Sequence, residues 1–151
     1  MGVNSNGVST YYFVEGTRII YELRGSDSIF YLYDSDGSPI GIKHIYSGGQ
    51  EGWYTTYYFE KNLQGDIIAI YDCWGTKMAS YTYDAWGNFT ATYSNGGENN
   101  EIIQNNPFLY RGYYYDYETG FYYLNSRYDD PVTGRFINAD KYLGANGDIN
   151  S

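Results

Sequence analysis

One cysteine, one histidine and nine basic residues among 151 positions exclude several functions before any motif is sought. A lone Cys73 cannot form an internal disulfide or a cysteine-based zinc site. In the setting IAIYDCWG it reads as a small buried or half-buried filler. Any Ser-His-Asp, Cys-His or His-ligated metal arrangement would have to be built around His44, which stands in the alternating run IGIKHIY without a companion ligand and reads as a strand-surface residue. Nine Lys and Arg against eighteen Asp and Glu give a net charge of −9. That argues against nucleic acid and anionic membranes as partners, because phosphate binding needs clustered cations. No apolar run approaches the roughly 18 residues of a membrane span. The first ten residues, MGVNSNGVST, lack a basic and then apolar leader. The chain is therefore expected either to be cut from a longer one or to be exported by another route.

Helical periodicity is also scarce. No window of ten or more residues keeps apolar side chains at i, i+3, i+4 and i+7, and 19 glycines interrupt the chain. What is abundant is tyrosine, with 22 copies in a chain that is 21% aromatic and only 18% charged. Tyrosine buries a large ring yet keeps a hydroxyl that wants a partner, which suits broad, half-wet sheets better than a compact oily core. β-branched and aromatic residues gather in short runs separated by Gly, Asp, Asn and Ser, the pattern of strands and turns.

Those runs repeat. Phe30 to Ile42, Ile68 to Tyr81 and Ser80 to Tyr93 share an alternating run, then Y-D-x-x-G, then another alternating run. The repeated units are Tyr33-Asp34 to Gly37, Tyr71-Asp72 to Gly75 and Tyr83-Asp84 to Gly87. Looser copies run from Asp116 to Gly120 and from Asp130 to Gly134, and a degenerate one with a longer turn is expected from Phe59-Glu60 to Gly65. An aspartate can accept hydrogen bonds from backbone N–H groups just ahead of it, and glycine takes the positive φ that returns the chain. Each unit is thus a hairpin turn, and consecutive hairpins form an antiparallel meander. The fold class is all-β.

Candidates for chemistry are few. The carboxylates recur at turn positions, which predicts a structural role. The DSDG stretch at Asp34 lacks the full twelve-residue calcium-loop pattern, so neither a metal nor a cofactor is expected. Trp53, Trp74 and Trp86 could present rings to glycans, although rings recurring in every repeat more simply form a shared packing face. Asn88 to Thr90 matches a glycosylation sequon. Residues 94–107 are polar and rich in Gly and Asn, as in a surface loop. Near the end, Arg127 and Arg135 flank a turn among aromatics, where a guanidinium can stack on rings or hold carboxylates.

The Y-D-x-x-G units resemble the YD repeats of bacterial Rhs proteins and animal teneurins. The segment YRGYYYDYETGFYYLNSRYDDPVTGRFINADKYLG, Tyr110 to Gly144, is similar to the Rhs repeat-associated core domain. The resemblance implies a curled or spiralling sheet that forms part of a hollow shell around a toxic C-terminal domain, with the core segment closing one end. It implies as partners the rest of that shell and the toxin, and a secreted or cell-surface location. In some members the core domain is an aspartic-type self-protease. Carried over by position, Arg127 matches the functional arginine and Asp140 the first catalytic aspartate. The family continues with an N-N-P stretch and a second aspartate in D-x-x-G. The sequence here ends ANGDINS, and Asp148 is not at that distance, so the site is expected to be an incomplete set.

The expected organisation is a disordered or foreign start over 1–10, YD-repeat hairpins over 11–93, a polar loop over 94–107, the core segment over 108–144 and a tail over 145–151. A structural wall fragment is the favoured reading, with an incomplete self-protease and a glycan-binding module as alternatives. Open strand edges also predict edge-to-edge self-association.

Overall fold

The computed structural model describes residues 2–3, 7–48, 53–124 and 127–138. Nine strands pair with their sequence neighbours, all antiparallel, in one sheet. They are β1 (Gly2–Val3), β2 (Ser9–Glu15), β3 (Arg18–Arg24), β4 (Asp27–Tyr33), β5 (Pro39–Ile45), β6 (Tyr54–Lys61), β7 (Ile67–Tyr71), β8 (Lys77–Tyr83) and β9 (Phe89–Tyr93). A short 3-10 turn (Gly97–Asn99), helix α1 (Glu101–Gln104) and a second 3-10 turn (Tyr110–Gly112) follow. Strands β10 (Tyr114–Asp116), β11 (Phe121–Leu124), β12 (Arg127–Asp130) and β13 (Arg135–Asn138) then make a second, four-stranded meander. Neither sheet closes on itself. No helix among the described residues is long and apolar enough to cross a membrane.

The turns explain the meander. In the three strict repeats the aspartate N–H donates to the carbonyl four residues on, at 3.0 Å in each. The glycine N–H donates back to the aspartate carbonyl at 3.0, 3.1 and 3.3 Å. Oδ1 of Asp34, Asp72 and Asp84 accepts from the N–H groups two and four residues on, at 2.8–3.0 Å. The glycines stand at φ 81°, 85° and 94°, where any L side chain is strained. A fourth copy corrects the expectation of a longer turn starting at Phe59-Glu60. Asn62 takes the aspartate position, its Oδ1 accepting from the Gln64 and Asp66 N–H groups at 3.0 Å, and Gly65 closes the same short turn. An amide oxygen accepts as a carboxylate does, so the turn survives the change of residue. In the looser copies Gly120 and Gly134 donate to the carbonyls of Asp116 and Asp130 at 2.7 and 2.8 Å, across one more residue.

These hydrogen bonds titrate. Backbone donors led by Ser38 hold the Asp34 carboxyl below the usual carboxylate range, and donors led by the Asn88 side chain do the same at Asp84. A carboxyl depressed on folding contributes stability above its unfolded value, near 3.9, and loses it as pH falls through the lower folded value. The urea midpoint is therefore expected to drop between about pH 4.5 and pH 2.5. It should drop less in the Asp34→Asn, Asp84→Asn double variant, because Asn62 already makes the same turn without a charge. An unchanged pH slope would contradict this.

Irregularities recur beside the turns. The pairing register slips where Ile20, Ile40, Ile68 and Met78 lack a cross-strand partner, each as the second or third residue of its strand. A bulge bends its strand and adds right-handed twist, and bulges repeated from hairpin to hairpin curl an open meander. They also break the two-residue alternation, so Ile67 and Ile70, three apart, are both buried.

One face of the large sheet holds the core, with Ile29, Tyr31, Ile42, Tyr57, Ala79 and Tyr81 buried on it. Two sequence expectations fail here. His44 is buried, not on the strand surface, because it shares the inward phase of Ile42 while Lys43 points out. Cys73 is exposed, because it lies inside the β7–β8 turn, beyond the sheet.

Residues 94–107 are not a free loop. Asn100 caps α1 by accepting from the Ile102 and Ile103 N–H groups, and both isoleucines are buried over the sheet. The Asn100 amide donates to the Tyr57 hydroxyl at 2.8 Å, and the Ser94 N–H donates to the Met78 carbonyl at 2.9 Å. Gly97 passes so close to β8 that an added Cβ would lie 2.1 Å from the Met78 carbonyl oxygen. Gly97→Ala is thus expected to lower stability by about 1–3 kcal/mol through backbone displacement, read as a lower urea midpoint.

Candidate functional site

The residues that distinguish this chain from a plain meander lie along the seam between the large sheet and residues 106–138. Phe108 fills the centre of that seam. Its ring meets Tyr31, Tyr33, Phe59 and Tyr114 at centroid distances of 5.2, 5.9, 6.3 and 5.8 Å. Leu109 and Tyr122 beside it are fully buried. The contacts with Tyr31, Tyr33 and Tyr114 are edge-to-face and that with Phe59 is tilted, and they add to the area that each ring removes from water.

The hairpin turns hold this strip by their polar groups. The Ile67 N–H donates to the Leu109 carbonyl at 3.0 Å, and the Arg111 N–H donates to Asp66 Oδ1 at 2.8 Å. Tyr122 donates its hydroxyl to the Gly87 carbonyl at 2.8 Å, Tyr110 to the Ala85 carbonyl at 3.2 Å, and the Asn88 amide to the Pro131 carbonyl at 2.7 Å. Burial raises the Tyr83, Tyr114 and Tyr122 hydroxyls well above the usual phenol range, so they stay protonated and act as donors. Tyr33 is pushed up to about 12 by burial, against the opposing pull of Arg18. The turn residues therefore serve twice, closing hairpins and anchoring the strip.

A buried ion pair, not anticipated from the sequence, lies at one side of the seam. Glu22, 1% exposed, takes the Arg24 Nε and Nη2 at 3.0 and 2.7 Å on Oε1, and the Tyr31 hydroxyl at 2.6 Å on Oε2. Arg24 also reaches Glu101 on α1 at 3.3 Å. A cavity of about 420 Å³ opens next to this group, between β2–β3 and residues 105–118. Across the sheet, His44 Nε2 lies 3.0 Å from Asp27 Oδ2, and Asp27 Oδ1 accepts from the Ser47 N–H and hydroxyl. Serine bonds the aspartate and not the histidine, so the trio has no nucleophile–base contact.

Among the described residues, the sequence-predicted tryptophans do not converge. Arg127 begins β12, but its side chain and the whole of Asp140 lie outside the described residues. Trp74 and Trp86 occupy the turns before and after β8, a seven-residue strand, and so stand at opposite ends of it, roughly 20 Å apart at about 3.3 Å per residue. Trp53 precedes β6, and all three rings are exposed. Trp86 lies so close over Gly134 that an added Cβ there would be 2.7 Å from the ring, which gives it a packing task at the β12–β13 turn. No three His, Cys, Asp or Glu side chains converge among the described residues.

No family model matches the chain. Three curated Bacillus proteins do, and two illustrate the match. A tRNA nuclease WapA of Bacillus subtilis (strain 168) is 39% identical over 150 residues, which covers 95% of this chain but 6% of that protein. A tRNA(Glu)-specific nuclease WapA of Bacillus subtilis subsp. natto (strain BEST195) is 38% identical over 149 residues with the same coverage. The chain thus spans about 6% of the length of these relatives. Among solved structures, TcdB2-TccC3 superposes with a TM-score of 0.60 at 17% identity, over 89% of this chain and 6% of that one. TcdB2-TccC3 without its hypervariable C-terminal region gives 0.58 at 18% identity, over 80% of this chain and 5% of that one. The likeness shows a shared Rhs-like antiparallel β fold.

Proposed function

We propose that this chain is a piece of an Rhs/YD-repeat toxin protein: a stretch of curled β wall together with the core strip that seals it near a variable toxic domain. One observation carries the reading. An unclosed meander of turn-locked hairpins carries, on one face, a tyrosine-rich strip bonded to the hairpin turns themselves. Such a sheet leaves strand edges that further repeats of the same kind can extend. The likeness to TcdB2-TccC3 and the match to WapA proteins support the same reading.

In this reading the segment is scaffold. On this reading the nuclease function carried in the names of the Bacillus relatives is not assigned to this segment, in keeping with its net charge of −9. The partners are the flanking wall repeats and the enclosed toxin, and the location is the secreted or cell-surface side.

The test is single-particle imaging of the full-length protein that carries this chain. Further strands paired outside β1 and β9, with the strip facing an enclosed volume, are the expected result. A free-standing module on a tether, with both edges in solvent, would overturn the proposal. Because Trp74 and Trp86 stand at opposite ends of β8, a glycan array is expected to show no binding that Trp74→Ala and Trp86→Ala abolish together.

A further inference from the structure

We infer that His44 anchors a binding site for a saccharide residue, with Nδ1 accepting a hydroxyl of the sugar ring. His44 is 4% exposed, and its Nδ1 is the one buried side-chain nitrogen or oxygen without a hydrogen-bond partner among the described residues. An unpaired acceptor at that depth costs free energy unless a donor reaches it. The imidazole lines a cavity of about 660 Å³ between the β3–β4 turn and residues 96–102, a size within the range of small-molecule sites.

Asp27 decides which nitrogen is open. Its Oδ1 accepts from the Ser47 N–H and hydroxyl at 2.9 and 2.8 Å, and its Oδ2 lies 3.0 Å from His44 Nε2. Burial pushes the Asp27 carboxyl up, but these donors outweigh it and hold the group below the usual range, so an ionised carboxylate faces Nε2. The Nε2 hydrogen is then taken by Asp27, and in the neutral imidazole Nδ1 keeps its lone pair. The ligand must therefore bring a hydrogen-bond donor. Asp27 and Glu101 line the same cavity and, with that lone pair, disfavour an anion. A metal ion lacks a ligand set, since no three His, Cys, Asp or Glu side chains converge among the described residues. Arg24, the cation of the lining, is already held by Glu22 and Glu101. The Ser26 hydroxyl and the Asn99 amide line the cavity from different turns, both exposed and without a partner among the described residues. Sugar hydroxyls donate and accept, and so match them. Tyr46, whose ring centroid lies 4.0 Å from that of His44, adds an aromatic surface for the C–H face of the sugar. The site lies within this chain and does not depend on what the wall encloses.

The probes are the methyl glycosides of glucose, galactose and N-acetylglucosamine, titrated against the chain by amide NMR, with sorbitol as an open-chain polyol control. At least one glycoside is expected to shift the Ser26, Asp27, His44 and Asn99 amides saturably, while sorbitol leaves them in place. Its Kd should rise about tenfold in Asn99→Ala, the loss of one hydrogen bond, and further in His44→Phe. Asn99 is exposed, so Asn99→Ala should keep the urea midpoint of the parent chain while losing affinity. Long-range proton–nitrogen spectra should show the Nε2–H tautomer of His44, with the Nδ1 resonance moving as the glycoside is added. Absence of a saturable shift with every glycoside, an unchanged Kd in both variants, a hydrogen on Nδ1 in the neutral ring, or sorbitol binding as tightly as the glycosides would each overturn the assignment.

Discussion

Phe108→Ala is expected to lower the unfolding free energy by about 3–5 kcal/mol, the range for deleting a buried aromatic ring. Phe108 is 4% exposed and touches rings from β4, β6 and β10, so its removal opens a cavity that no single neighbour can fill. Since domain stability is commonly 5–15 kcal/mol, the variant should show a much lower urea midpoint or no cooperative transition. Phe108→Leu should recover part of the loss. If Phe108→Ala shifted only signals from β10–β13 and left the large sheet's midpoint unchanged, the strip would be an appendage and not part of the core.

The second large effect concerns Glu22. Glu22→Ala should cost about 3–5 kcal/mol, because it leaves the Arg24 guanidinium with only the exposed Glu101 and strands the Tyr31 hydroxyl. Replacing the group together, as Glu22→Met, Arg24→Met and Tyr31→Phe, should cost much less, since no charge or hydroxyl is then left buried without a partner. Urea unfolding of the single and triple variants separates the two cases. A triple variant as unstable as Glu22→Ala would show that packing, not charge, dominates there.

The strict repeats are legible because turn chemistry is local. Asp34, Asp72 and Asp84 each need only the next four residues to close a hairpin, and the sequence contains them. Asn62 was harder to see for the same reason that it works: its amide oxygen accepts like a carboxylate, but a search for Tyr-Asp passes over it. The α1 segment did carry a signal in Asn100-Glu101-Ile102-Ile103, a capping residue followed by apolar positions, masked by the polar composition around it. His44 could have been placed from Lys43, whose charge marks the outward phase of β5. Glu22 could not. Alternation in RIIYELR puts either Tyr21 and Leu23 or Glu22 and Arg24 inward, and composition favours the wrong pair. Only the register with Ile29 and the Tyr31 hydroxyl decides it. The seam is non-local too, since Asp66 and Arg111 meet from positions far apart in the chain.

Native-state hydrogen exchange of the Ile67 and Arg111 amides tests most directly whether repeats and core strip form one folded unit. Both amides donate across the seam, to the Leu109 carbonyl and to Asp66. Protection equal to that of the Ile70 and Ala79 amides at the centre of the sheet is the predicted result. Exchange of Arg111 and Ile67 at the rate of open chain, while Ile70 and Ala79 remain protected, would contradict it.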